Sequence, residues 1–116
     1  MPIMNEEEVL ELLGGDRALL SEISRIFLAE SPKMLAAIRL GVAESDASAV
    51  HFAAHALKGS VGNFSAATVF EAVRILEEMG QREDLSKAAA AVATLEQELA
   101  RLQPVLAAFA AETPPE

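Results

Sequence analysis

The sequence predicts an all-α protein: an antiparallel four-helix bundle with one or two short accessory helices on its N-terminal side. Three observations point there. Apolar residues recur three and four positions apart along most of the chain, the period of a helix with one buried face. Asn5, Asp16, Asp46 and Asp84 each stand just before such a run, where a short polar side chain can cap a helix. No stretch alternates apolar and polar residues as a half-buried strand would. The 116 residues are 52% hydrophobic, enough for one core and one domain. Much of that fraction is alanine, and Trp and Tyr are absent, so the helices should be slim and closely packed.

The elements follow in order. Asn5 with Glu8 forms a capping box for a short helix carrying Val9, Leu12 and Leu13, which Gly14-Gly15 stops. Asp16 caps a second helix with Leu19, Ile23, Ile26 and Phe27 at helical spacing. Ser31-Pro32 reads as a new start, with Ser as cap and Pro at the first helical position. The third helix then carries Leu35, Ile38 and Val42. Asp46 caps a fourth, which fades near Asn63-Phe64. Ser65 caps a fifth with Val69, Val73, Leu76 and Met79, closed by Gly80. Asp84 opens the last. There Leu85, Ala88, Val92, Leu95, Leu99, Leu102, Leu106 and Phe109 form a coiled-coil-like seam, which Pro104 should kink or break. Residues 1–112 are expected to be the bundle and 113–116 a disordered tail.

Charge and composition exclude several functions. Net charge is -9, which repels a phosphate backbone and anionic lipid, so neither nucleic acid nor membrane is an expected partner. With no cysteine there are no disulfides, thiolate metal sites or thiol nucleophiles. The acidic N-terminal stretch Glu6-Glu7-Glu8 is no signal peptide. Its charges suit the start of a helix, and the Glu77-Glu78 pair reads as a solvated face. A cytoplasmic protein is the expectation, and the alanine- and arginine-tinged composition suggests a bacterial source.

The candidate chemistry lies on the fourth helix, in His55-Ala56-Leu57-Lys58-Gly59. On a wheel of about 100° per residue, Val50, Ala54, Leu57 and Val61 cluster on one face, taken as the core. His55 then falls about 140° from the core centre, Gly59 about 180° and Gly62 about 120°. The histidine faces solvent with two glycines on its own side. Glycine inside a helix costs about 1 kcal/mol relative to alanine, and close approach of another surface would account for two of them. Lys58 lies at the boundary, where its stem can follow the bundle and its ammonium can swing toward His55. Phe52 falls near His55 and is either a docking contact or covered by an accessory helix.

Together with Ala53-Ala54 before it and Ser60-Val61-Gly62-Asn63-Phe64 after it, this motif resembles the signature of histidine-containing phosphotransfer (HPt) domains. The resemblance extends over the chain: the acidic leading helix is similar to Asp16–Ser31, a Leu-Glu step to Leu76-Glu77, and the leucine-rich closing helix to Asp84–Phe109. One position departs, because the family commonly has Gly where this chain has Ser65. The resemblance implies a four-helix bundle with an exposed phospho-accepting His55 on its second bundle helix. It also implies that Lys58 orients or neutralises the phosphoryl group. Gly59 leaves room for the partner, with Gly62, Phe52 and His51 at the docking surface. The implied partners are receiver domains of response regulators or hybrid kinases. These carry the phosphoryl group on aspartate and supply Mg²⁺, so the chain needs no cofactor of its own. No autokinase activity is expected. Met1 and the complete bundle favour a free-standing protein over a fragment of a larger kinase.

The chemistry agrees. Neutral imidazole is a competent nucleophile near pH 7, and phosphoryl transfer needs placement and charge neutralisation more than covalent machinery. Competing readings are weaker. His51 and His55 have the i, i+4 spacing of a helical zinc pair, but Phe52 stands where a zinc protease has Glu, and no third ligand is in view, so no metal site is expected. Ser60 and Ser65 have no His–carboxylate arrangement around them, which argues against an enzyme proper. The runner-up is an adaptor bundle that binds a signalling partner without transferring phosphate. A monomer is expected, although the leucine seam beyond Pro104 offers a dimerisation surface.

Overall fold

Five α-helices and one short 3₁₀ turn make up the computed structural model, which describes residues 2–112. The tail expectation for 113–116 lies outside these residues. Helix α1 spans Glu6–Leu12, α2 Arg17–Ala43, α3 Ala47–Val61, α4 Ala67–Gln81 and α5 Ala88–Ala110, with the 3₁₀ turn at Gly62–Phe64. No strand occurs among the described residues. Helix α3 lies between α2 and α4, and α5 closes the ring against α2 and α4. This is the expected antiparallel four-helix bundle, with α1 as the single accessory helix against α2 and the 3₁₀ turn. The molecule is long and narrow, 49 × 24 × 20 Å. Helix α2 and the far part of α5 outrun the shorter α3 and α4.

Local caps set the starts. Asn5, Asp16 and Asp46 accept hydrogen bonds from the backbone N–H of Glu8, Leu19 and Ala49 at 3.0, 2.9 and 3.0 Å. The ends use one device three times. After α2, Asp46 N–H donates to the Gly41 carbonyl at 2.8 Å and Ser45 N–H to that of Val42 at 3.2 Å. This is a Schellman closure, with Ser45 left-handed at φ 53°. Gly14 and Glu83 hold the equivalent positions after α1 and α4.

Several expectations are corrected. Ser31-Pro32 starts no helix: α2 runs through Pro32 unbroken for 27 residues. Proline deletes one backbone bond, and packing of α2 on both α3 and α5 holds the helix across that gap. Pro104 likewise sits inside a continuous α5. The buried stripe of α2 is Leu20, Ser21, Ser24, Phe27, Ile38 and Gly41. Leu19 and Ile26 are outside it, at 37% and 55% exposure, and Leu12 of α1 also faces out. Small polar serines at core positions hid the true stripe. Ser65 is no cap. It is left-handed at φ 49°, and α4 starts after Ala66 without a side-chain cap. Gly80 does not close α4, which runs on to Gln81. Asp84 does not open α5 directly. Its carboxylate accepts from the Ser86 backbone N–H at 3.2 Å and hydroxyl at 2.7 Å, shaping the turn before Ala88.

The core is continuous. Val50, Ala54, Leu57 and Val61 of α3 are fully buried, as the wheel placed them. Ala54, Leu57 and Val61 join Val69, Val73 and Leu76 of α4 and Leu95, Leu102 and Leu106 of α5 in one cluster. Phe27 and Phe64 meet edge to face at 5.3 Å beneath α1. No helix is long and apolar enough to cross a membrane among the described residues.

Candidate functional site

Helices α3 and α4 pack closely at Gly80. A Cβ built there would lie 2.6 Å from the His51 nitrogen and 2.7 Å from the Ala47 carbonyl oxygen, so only glycine fits. One turn before Gly80 on α4 is Glu77, and one turn after His51 on α3 is His55. The close crossing therefore sets Glu77 against His55.

The contact is direct. His55 Nδ1 lies 3.1 Å from Glu77 Oε1, and Lys58 Nζ lies 2.7 Å from Glu77 Oε2. Glu77 bridges the two expected site residues. Its side chain is only 13% exposed, whereas that of His55 is 66% exposed. The Lys58 ammonium holds the Glu77 carboxyl below the usual carboxylate range, against the opposing effect of burial, with the His55 hydrogen bond adding to the lowering. An ionised carboxylate only accepts hydrogen bonds. His55 must then carry its proton on Nδ1, which leaves the Nε2 lone pair of the neutral ring facing solvent. Lys58 does not reach toward His55 as expected; its partner is Glu77.

Around the imidazole the surface is open. A Cβ at Gly59 would meet nothing within 4 Å, and one at Gly62 only the Phe70 ring at 3.9 Å. Phe52 is 68% exposed and no accessory helix covers it. Phe70, at 37% exposure, borders the far end of the glycine strip. Of the five phenylalanines, the two exposed ones thus flank this face. His51 is half-buried, its ring stacked with that of His55 at 6.2 Å between centroids. On the α4 side a polar groove is lined by Lys58, Arg74, Glu77, Glu78, Gln81 and Arg82. Among the described residues no group of three or more His, Asp or Glu side chains is arranged to hold a metal ion.

Two members of this surface escaped the sequence reading. Glu77 sits beside Glu78 and looked like part of a solvated face; only the Leu76-Glu77 resemblance hinted otherwise. Phe70 lies on the polar side of α4, and an aromatic there was the available signal.

The described residues thus form an all-α bundle that presents the His55 imidazole, held by Glu77, on an exposed face. The Hpt domain model matches residues 22–104, and the chain belongs to the Hpt domain family. The crystal structure of histidine-containing phosphotransfer protein B (HptB) from Pseudomonas aeruginosa PAO1 is similar, with a TM-score of 0.87 over 97% of this chain and 98% of that one. Sequence identity to it is 21%, so that likeness speaks for the shared fold. Comparison with curated proteins gives no match.

Proposed function

We propose that this protein relays a phosphoryl group to and from receiver-domain aspartates in a multistep two-component phosphorelay in the cytoplasm, with His55 as the phospho-accepting residue. The observation that carries this is the Glu77 bridge. It orients a solvent-exposed imidazole with Nε2 outward and keeps a lysine one turn away.

The step balances simply. Nε2 of His55 attacks the phosphorus of the receiver's aspartyl phosphate. The Nε2–P bond forms, the P–O bond to aspartate breaks, and aspartate leaves as carboxylate. The ring acquires positive charge, and its Nδ1 proton stays hydrogen-bonded to the Glu77 carboxylate, which offsets that charge. Lys58 then has an anion within reach on either side and can turn from Glu77 toward the phosphoryl oxygens. The receiver supplies Mg²⁺ and the in-line geometry. Gly59 and Gly62 admit its surface, while Phe52, Phe70 and His51 form the rim it meets. In this reading the phosphoryl group comes from the receiver partner.

The test is transfer from a radiolabelled phospho-receiver with Mg²⁺. Native protein should acquire acid-labile, base-stable label, and a folded His55→Gln variant should acquire none. Label on that variant would remove His55 from the assignment.

A further inference from the structure

His51 and His55 share more than a helix face. The His55 Nδ1 lies 3.1 Å from the Glu77 carboxylate, and the His51 Nδ1 lies 3.5 Å from the Glu77 backbone carbonyl. Both acceptors belong to one residue of α4, and neither can donate. Both rings therefore turn Nδ1–H inward and Nε2 outward. The two rings are stacked at 6.2 Å with an interplanar angle of 24°. Phe52 further restrains His51 by an edge contact at 5.3 Å.

We propose that His51 and His55 form a two-imidazole chelate for a borderline divalent transition ion such as Zn²⁺, and that its occupancy masks the His55 nucleophile. The masking half rests on the phosphorelay reading; the binding half does not. Imidazoles one turn apart on a helix can share one such ion. Imidazole nitrogen selects zinc, copper or nickel, whereas Mg²⁺ prefers oxygen, so the Mg²⁺ of a receiver does not compete. Metal-binding histidines characteristically give their other N–H to a carboxylate or backbone carbonyl, and Glu77 provides one of each. Two protein ligands leave the remaining positions to water, so the site is open and exchangeable. Because the ion takes the Nε2 lone pair, His55 cannot attack phosphorus while it is bound. The sequence reading set metal aside for lack of a third ligand; the structure adds no third ligand, but it adds the orienting shell.

Calorimetric titration of the full chain with Zn²⁺ tests the binding half. Native protein should bind one ion. His51→Gln and His55→Gln should each weaken binding by at least about tenfold, and Glu77→Ala by about tenfold, the scale for a lost orienting partner. The double His51→Gln/His55→Gln variant gives the background from surface carboxylates. Native binding no tighter than that background, or unchanged in His51→Gln, would overturn the chelate. Transfer assays test the masking half. Each variant is compared with its own zinc-free rate, and Zn²⁺ should slow native protein more than His51→Gln. Equal slowing would overturn masking. Failure of native protein to take label without Zn²⁺ would instead overturn the phosphorelay reading, leaving the calorimetry to decide the chelate.

Discussion

Two glycines in neighbouring helices should respond to one substitution with opposite signs. Gly59→Ala places a methyl group in open space, with no atom within 4 Å. It should raise stability by up to about 1 kcal/mol through helix propensity alone. Gly80→Ala gains the same propensity at most, but its methyl would meet the His51 nitrogen at 2.6 Å, the Ala47 carbonyl oxygen at 2.7 Å and the His51 Cα at 2.9 Å. All three are backbone atoms, which cannot step aside as a side chain can. Ordinary contact begins near 3.4 Å, so α3 and α4 must separate by most of an ångström. Overpacking of this kind costs about 1–3 kcal/mol. The propensity gain is common to both variants, so the gap between them isolates the steric cost and should be about 1–3 kcal/mol. With no Trp or Tyr in the chain, urea unfolding followed by circular dichroism is the assay. Separating the helices also draws Glu77 from His55, so imidazole ¹⁵N shifts should show Nδ1 losing its exclusive hold on the proton. Equal stability of the two variants, with an unchanged His55 tautomer, would refute the close-crossing argument.

Three further outcomes are expected. Lys58→Ala should slow phosphoryl transfer while the bundle stays folded by circular dichroism; an unchanged rate excludes Lys58 from the step. Glu77 has its carboxyl held low mainly by Lys58, so its contribution to stability is present above the unfolded carboxylate range and is lost as pH falls through the depressed value. The stability advantage of native protein over Glu77→Gln should therefore shrink on acidification below about pH 4.3, and a gap independent of pH would contradict it. Ser65→Gly should stabilise by about 1 kcal/mol, because Ser65 is left-handed at φ 49°, a conformation that disfavours a side chain by about 1–2 kcal/mol; a lower unfolding midpoint would argue against that strain.

Much of this was legible because it is local. A cap such as Asp46 needs only the next three residues, and the α3 wheel needs only its own period, so both the helix start and the outward His55 could be read directly. The misreadings came where glycine and proline had two possible meanings. Gly80 looked like a stop signal, yet it serves close packing inside α4, and Glu83 takes the left-handed position after that helix. Pro32 looked like a first-turn residue, but contacts from two neighbouring helices carry α2 through it. Glu77 was hidden for a different reason. Its role exists only once α3 and α4 cross at Gly80, and no spacing along the chain encodes that crossing. Ser65 shows the converse: the position where the family commonly has Gly is left-handed here, so the local departure marked a real backbone demand.

Arg17 ties the start of α1 to the residues just past α5, pairing with Glu6 and with Glu112, each at 2.9 Å. Gly41 packs on Val50, which sets the level of α3 along α2 and leaves His55 roughly 25–30 Å of helix away from Arg17. Glu6 and Glu112 therefore lie side by side at one pole, with Met4 tucked into the core just ahead of α1, while the His55 imidazole looks out from the flank. Such a layout suits splicing. A host protein could carry the bundle as an insert whose tethers join near this pole, ahead of Ile3 and Met4 and after Glu112, without shading the flank that carries His55.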